Sequence, residues 1–440
     1  MSSTDNRRPT SSGGTRSASG QRRPQGARPQ GSRPPGSRPS GSRPPGSRPP
    51  GSRPSGSRPQ GSRPDSVRRA TAHSSANANR RAADARQRKK KKNQTIILVV
   101  EILVIVFLLV GLLLWMKFGR MNFDTTVDTK DIVVNTELSQ ETVEVLQGYE
   151  TIALFGVDNR TNGNYESGNS DSIMICNIDK DTKEVKVVSV YRDTYLNTGN
   201  DTYRKCNYAY NHGGPAQAIS MLNQCLDLDI KHYVSVDFYA LAEVVDALGG
   251  VTLNVTEEEA KYINDCYIDP TGEVVGHKAQ YVSAGLQTLD GIQAVCYCRV
   301  RYTAGDDFKR AWRQRYVLSL LVEKALQADI GTINQIVDGV LPDIATNYTA
   351  AEIVALAADM KSYSLVHTGG FPSNLTTGLY GKLGSLVVPC TLEYNVTQLH
   401  NTLFGTTDYV PSETVRSISN KISNDTGTNT SSGSVVTGDY

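Results

Sequence analysis

The first fifth of this 440-residue chain lacks most of what a folded domain is made from. Residues 1–92 contain no Phe, Tyr or Trp, and set only Asp5, Asp65 and Asp84 against 23 Arg and Lys. Residues 31–65 are seven Gly-Ser-Arg-Pro-X pentapeptides beginning at Gly31, Gly36, Gly41, Gly46, Gly51, Gly56 and Gly61. Almost no apolar surface is available there to offset ordering entropy, and Pro and Gly oppose helix and sheet, so a disordered arm is expected. Without aromatics there is no platform for base stacking. Contact with nucleic acid or anionic lipid would be purely electrostatic, and no specific nucleic-acid partner is expected.

Acidic residues are scarce only in the arm. The whole chain has a formal charge of +3 and the arm holds 23 − 3 = +20, so the remainder carries 3 − 20 = −17. Cysteine is absent from the arm too. Cys176, Cys206, Cys225, Cys266, Cys296, Cys298 and Cys390 all follow it, an odd number that leaves at least one unpaired within the chain. Their spacing is not that of zinc ligands, and Cys176 and Cys225 fall at apolar positions of a strand and a helix. They read as small core hydrophobes, with one or two disulfides left open.

Ile96–Met116 is an apolar run of 21 residues interrupted by Glu101, long enough to cross about 30 Å of hydrocarbon. It is too long for a signal peptide and has no small-residue cleavage site. The run "RKKKK" before it places the arm in the cytoplasm and everything after Lys117 outside, as in a single-pass type II signal-anchor protein. Glu101 lies one turn from the cytoplasmic end and can snorkel to the basic flank.

Beyond the run, residues 118–147 read as a polar stalk and 412–440, rich in Ser, Thr, Asn and Gly, as a disordered tail. Between them, residues 149–405 read as one mixed α/β domain, because short apolar runs alternate with helical patterns. Strands are predicted over "TIALFGVD", the hairpin "DSIMICNI"/"EVKVVSVYRD", "HYVSVDF", "VTLNV" and "AVCYCRVR". Helices are predicted from Pro215, over "YALAEVVDAL" up to Gly249-Gly250, and from Asp307 to Ala328.

Charged clusters stand at the ends of these elements: Asp158 with Arg160, Asp171, Arg192 with Asp193, and "CRVRYTAGDDFKRAWRQR" from Cys298 to Arg315. Read as a strand, "CRVR" sends Arg299 and Arg301 to one face, where two like charges repel unless an anion covers them. Asp307, Arg310 and Gln314 share one stripe of the following helix. Such arginines suit an anion with several oxygens, since guanidinium forks match phosphate and a helix N-terminus adds positive character. Lys309, Arg313 and Arg315 read as a solvated helix face. Asp158 and Asp171, at adjacent strand mouths, are hard-oxygen ligands suited to Mg²⁺ or Mn²⁺ together with substrate oxygens. Carboxylates, metal and arginines are the equipment of phosphoryl transfer.

"LFGVDNR", "SDSIMICNID", "SVYRDTY", "KCNYAYNHGGPAQAI", "VDALGGV", "LDGIQAVCYCRVR" and "DDFKRAWRQR" occur in the order and spacing of the LytR-CpsA-Psr family of Gram-positive bacteria, which the chain resembles from Tyr149 to Phe404. The resemblance implies a three-layer α-β-α domain with a mixed central sheet. It implies a phosphotransferase that moves teichoic acid, capsular or related polysaccharide from a polyprenyl-pyrophosphate carrier to peptidoglycan as a phosphodiester, with pyrophosphatase as a possible side activity. By the same resemblance Asp158 and Asp171 hold the metal, and Lys205, Arg192, Arg299, Arg301, Arg310 and Gln314 hold the pyrophosphate. Arg192, Arg299, Arg301, Asp307 and Arg310 are then the catalytic group; Asp307, on the stripe of Arg310, is expected to orient that guanidinium, with proton abstraction from the acceptor hydroxyl as the alternative role.

Two positions depart from the family pattern. Asn169 replaces a basic residue, so one phosphate contact is lost unless Arg160 supplies it, and Cys206 replaces a branched aliphatic. A polyprenyl tail needs an apolar groove, for which "AISMLNQCL" and "YALAEVVDAL" are the candidate walls. The alternative function is a non-catalytic binder or regulator of lipid-linked wall glycopolymer, which would keep the arginines and tolerate loss of the aspartates.

Overall fold

The computed structural model describes residues 122–123, 127, 129–158, 165, 168–340 and 343–436. The arm, the apolar run Ile96–Met116 and Arg160 lie outside them. Among the described residues no helix is long and apolar enough to cross a membrane.

A seven-stranded mixed sheet forms the centre. Across it run Asn122–Phe123, Ile344–Thr346, His232–Val236, Tyr149–Asp158, Asn169–Asp179, Glu184–Val190 and Ser364–Phe371. Tyr149–Asp158 is antiparallel to Asn169–Asp179 and parallel to His232–Val236. These central strands are apolar on both faces because both are covered. On one face Ala153, Phe155, Ile173 and Ile175 join a core with the helices Asn207–Leu226, Leu392–Phe404 and Glu413–Thr426. On the other face lie Phe238–Ala247, Gly291–Arg299 and Asp306–Gln327, which build a separate core with the hairpin Val251–Val255/Gly285–Leu289. That second core holds no residue of the large sheet. The space between it and the sheet is a cavity.

The expected strands and helices are found with one exception. "AVCYCRVR" is not a strand: Gly291–Arg299 is a helix, capped by Asp290, whose side chain accepts from the Gln293 N–H while Gln293 reciprocates. Gly291 is obligatory there, since a Cβ would sit 2.3 Å from the Ala242 carbonyl oxygen of the crossing helix. Pro215 does open a helical segment, after a break at Gly213-Gly214 inside Asn207–Leu226.

Two segments set aside as unstructured belong to the domain. Within the expected stalk, Gln140–Gln147 is a helix, Ile132 and Leu146 are buried in the first core, and Asn135 donates to Asp227 at 2.6 Å. Within the expected tail, Glu413–Thr426 is a helix that buries Val415, Ile418 and Ile422. In both, a few apolar side chains at helical spacing outweigh a polar composition. All seven thiols are free, five of them buried, with Cys266 exposed.

Candidate active site

The site begins at the paired ends of two strands. Alternation along Tyr149–Asp158 sends Leu154, Gly156 and Asp158 to the cavity side. On the neighbouring strand the same rule would send Asp171 the other way, with Ile173 and Ile175. A bulge intervenes: Gly156 pairs with Ser172 and Val157 with Ser170, leaving Asp171 as the extra residue. Bulges re-aim side chains, and Asp171 turns to the cavity, where it meets three arginines.

Arg192 Nη1 donates to Asp171 Oδ1 at 2.8 Å and Arg192 Nε to Asp307 Oδ2 at 3.0 Å. Arg301 Nη2 donates to Asp171 Oδ2 at 3.2 Å, and its Nε lies 3.6 Å from Asp307 Oδ1. Arg310 reaches Asp307 at 3.3 Å and the Asp171 carbonyl oxygen at 3.2 Å. Three guanidiniums thus surround two carboxylates, 3 − 2 = +1. Arg310 is 4% exposed and its Nε has no hydrogen-bond partner among the described residues. Burial, with Arg192 and Arg301 nearby, pushes its pKa down to about 10 despite Asp307. Burial would raise the Asp307 pKa, but Arg310, Arg192 and Arg301 outweigh it and hold this carboxyl below the usual range.

Arg299 and Arg301 do not share the face of a strand. Arg299 ends its helix and Arg301 lies past the extended Val300, yet both reach the cavity. Arg299 donates to Thr271 Oγ1 at 2.8 Å and stacks over Phe238, 4.5 Å from the ring centroid, with Tyr267 at 5.5 Å. These three supports carry no charge, which is why a search for charged motifs misses them. Gln314 also lines the cavity, beside the Cys298 carbonyl. Lys205 stands outside it, paired with Asp193 at 3.1 Å. Asn169 is exposed opposite Asp158. Cys206 is buried, its thiol 3.2 Å from the Tyr191 and Arg192 carbonyl oxygens, so the substitution settles into local packing around the Arg192 loop.

Arg313 and Arg315 are not a solvated face. They are 0% and 1% exposed. Arg313 pairs with Glu259 at 2.8 Å and donates to the Val300 carbonyl at 3.0 Å, bracing the segment that carries Arg301. Lys309 lies over the Trp312 ring at 4.7 Å.

The cavity behind this cluster measures about 450 Å³. Its interior is apolar, with Leu154, Met174 and Val234 from the sheet and Leu241, Val317 and Leu321 from the helices, and charge is confined to Asp158, Asp171, Asp237, Arg299, Arg301 and Arg310. "YALAEVVDAL" supplies a wall as expected. "AISMLNQCL" does not, because it packs on the opposite face of the sheet. Asp158 and Asp171 line the same cavity, and no group of three or more metal-ligating side chains occurs among the described residues. Two carboxylates beside a cluster of guanidiniums are hard-oxygen donors of the kind a divalent ion such as Mg²⁺ takes when water and other oxygens complete its shell.

A family model described as the LytR_cpsA_psr family matches residues 118–383. The polyisoprenyl-teichoic acid–peptidoglycan teichoic acid transferase TagU of Enterococcus faecalis is 29% identical over 215 residues, 48% of this chain and 66% of that protein. TagV of Bacillus subtilis, similarly named, is 29% identical over 227 residues, 50% of this chain and 55% of that protein. The chain therefore spans between half and two-thirds of these relatives. Protein gbs0355 of Streptococcus agalactiae shares the fold, with a TM-score of 0.52 at 22% identity over 63% of this chain and 94% of that one. Since the match runs over more than half its length, the chain belongs to the LytR_cpsA_psr family.

Proposed function

We propose that this protein is a transferase that takes a glycopolymer from a polyprenyl-pyrophosphate carrier and joins it to peptidoglycan through a phosphodiester, outside a membrane spanned by Ile96–Met116. The carrying observation is the junction of an apolar cavity with three guanidiniums and their two carboxylates. A ligand that is hydrocarbon at one end and polyanion at the other matches both halves. The names of the transferase relatives support the same reading.

Arg192, Arg301 and Arg310 bind the two phosphates, and Arg299, held over two rings, adds a fourth positive charge at the cavity wall. Asp171 and Asp307 hold these forks in place before substrate arrives. Asp307 is a poor proton acceptor because three guanidiniums already stabilise its ionised form, so it positions Arg310. Asp158 and Asp171 would hold Mg²⁺ or Mn²⁺, which when bound supplies charge neutralisation on the phosphate oxygens. The test is to incubate the purified protein with a synthetic lipid-pyrophosphate glycan, peptidoglycan oligomer and Mg²⁺, and to seek the coupled product by mass spectrometry. Binding of donor without any product would favour a non-catalytic binder.

A further inference from the structure

We propose that a second cavity beside the arginines seats the acceptor saccharide, and that the chain beyond Leu383 helps to select it. This rests on the transferase reading above. The second cavity, about 550 Å³, shares Asp171, Arg301, Arg310 and Gln314 with the apolar one. Its other walls differ in kind. Thr377 and Ser385 bring hydroxyls, Asp193 and Asp306 bring carboxylates, and the floor is Tyr191 packed edge-on against Phe308 at 4.6 Å.

Two polar groups at this cavity have no hydrogen-bond partner among the described residues. They are Ser189 Oγ, in a residue 3% exposed, and Arg310 Nε. Leaving a buried polar atom unpaired is costly, and both atoms belong to residues that line this cavity. Hydroxyls, carboxylates and ring surfaces together suit a sugar, which offers hydroxyls on its edges and C–H groups on its faces. Tyr302, 63% exposed and lining both cavities, stands at the rim between them.

Position points to the acceptor. The tail of the donor in the apolar cavity puts the departing lipid phosphate on that side. In-line displacement brings the attacking oxygen from the other side, and the shared arginines have the second cavity there. The acceptor oxygen–phosphorus bond forms as the pyrophosphate P–O bond breaks. Lipid monophosphate leaves, and the hydroxyl proton is released to solvent.

The arginines and carboxylates all lie within the family match, which ends at residue 383. Part of the second wall does not. Ser385–Pro389 pairs with Asn374–Leu379, and Val387 N–H donates to the Asp193 carbonyl at 3.0 Å, so this strand both lines the cavity and braces the Arg192–Asp193 loop.

The test uses the full chain in detergent with Ser385→Trp and Thr377→Tyr, both at exposed positions of the small sheet and checked for parental melting. Soluble peptidoglycan oligosaccharide and synthetic lipid-pyrophosphate glycan are the probes. Both variants should raise the acceptor KM by about tenfold or more and lose acceptor binding in saturation-transfer NMR, with donor Kd changed by less than about twofold. An unchanged acceptor KM and binding in both variants overturns the proposal. So does weakened donor binding with acceptor KM unchanged, which would give the cavity to the donor glycan. If the parent binds the oligosaccharide, the variants do not, and no transfer occurs in any of them, the cavity assignment stands and the transferase reading falls.

Discussion

Replacing Arg313 by Ala separates arginines that hold the fold from those that meet substrate. Arg313 is fully buried, with Nε on Glu259 at 2.8 Å, Nη1 on the Val300 carbonyl at 3.0 Å and Nη2 on Thr303 Oγ1 at 2.6 Å. Glu259, 3% exposed, would keep only the capping bond from the Thr256 N–H at 3.0 Å. Breaking a buried pair from one side costs about 3–5 kcal/mol, because the remaining charge stays dry and uncompensated. At ~2–4 °C per kcal/mol for a domain of this class, the melting midpoint should fall by roughly 6–20 °C. Arg313→Met with Glu259→Leu removes both charges and should recover most of that loss. Calorimetry on the three proteins gives the comparison. Val300 and Thr303 flank Arg301, so transfer at temperatures below melting should drop as well in Arg313→Ala. A midpoint within about 2 °C of the parent would refute the burial argument and return Arg313 to a solvated face.

Arg299→Ala, Arg301→Ala and Arg310→Ala should each lose about ten- to hundredfold in donor affinity or single-turnover transfer, from ~1.5–3 kcal/mol per charge-assisted bond. Lys at these positions should fall short of the parent, having no planar fork, and normal transfer by Arg301→Ala would end the phosphate assignment. Asp158→Ala should abolish Mg²⁺-supported turnover without altering the melting curve, while Asp171→Ala should also weaken donor binding, since Arg192 and Arg301 each lose one of their carboxylate partners and keep Asp307. The depressed Asp307 pKa stabilises the fold above its unfolded value near ~3.9, and that contribution is lost as pH falls through the lower folded value. Asp307→Asn lacks this term, so its melting temperature should fall less steeply with acidification than the parent's, and equal slopes count against the assignment. Protease added to intact protoplasts should remove residues after Lys117 and spare the arm; a protected domain would reverse the orientation.

The positions of most strands along the chain, the Asp158 position and the Asp307–Arg310–Gln314 stripe were legible because each follows from local periodicity. The errors share one cause, which is contact between residues far apart. "AVCYCRVR" looks like a strand by side-chain type, but the helix signal lay just upstream, in the Asp290-to-Gln293 capping box. Arg313 reads as a surface residue until Glu259, 54 positions away, supplies its charge partner. Asn135 reads as a stalk residue until Asp227, 92 positions away, accepts its amide. The turn of Asp171 into the cavity depends on a bulge against Gly156, and no residue type there announces it. For the tail the signal was present: Val415, Ile418 and Ile422 fall at i, i+3 and i+7, and composition hid them.

The interleaving of carboxylates with arginines has a consequence for catalysis. Three guanidiniums converging without anions would repel and splay, and binding would have to gather them at the cost of affinity. Asp171 and Asp307 hold the forks together in the free protein at distances of 2.8 to 3.6 Å. Within the cluster 3 − 2 leaves a charge of +1, and the cavity wall adds Arg299 together with Asp158 and Asp237, so the formal sum over these eight groups is 4 − 4 = 0. The second core and Arg313 fix the segment carrying Arg299 and Arg301 from behind, and helix Asp306–Gln327 fixes Arg310. On the proposed transferase reading, a pyrophosphate would meet guanidinium forks that are already assembled and need not be gathered on binding.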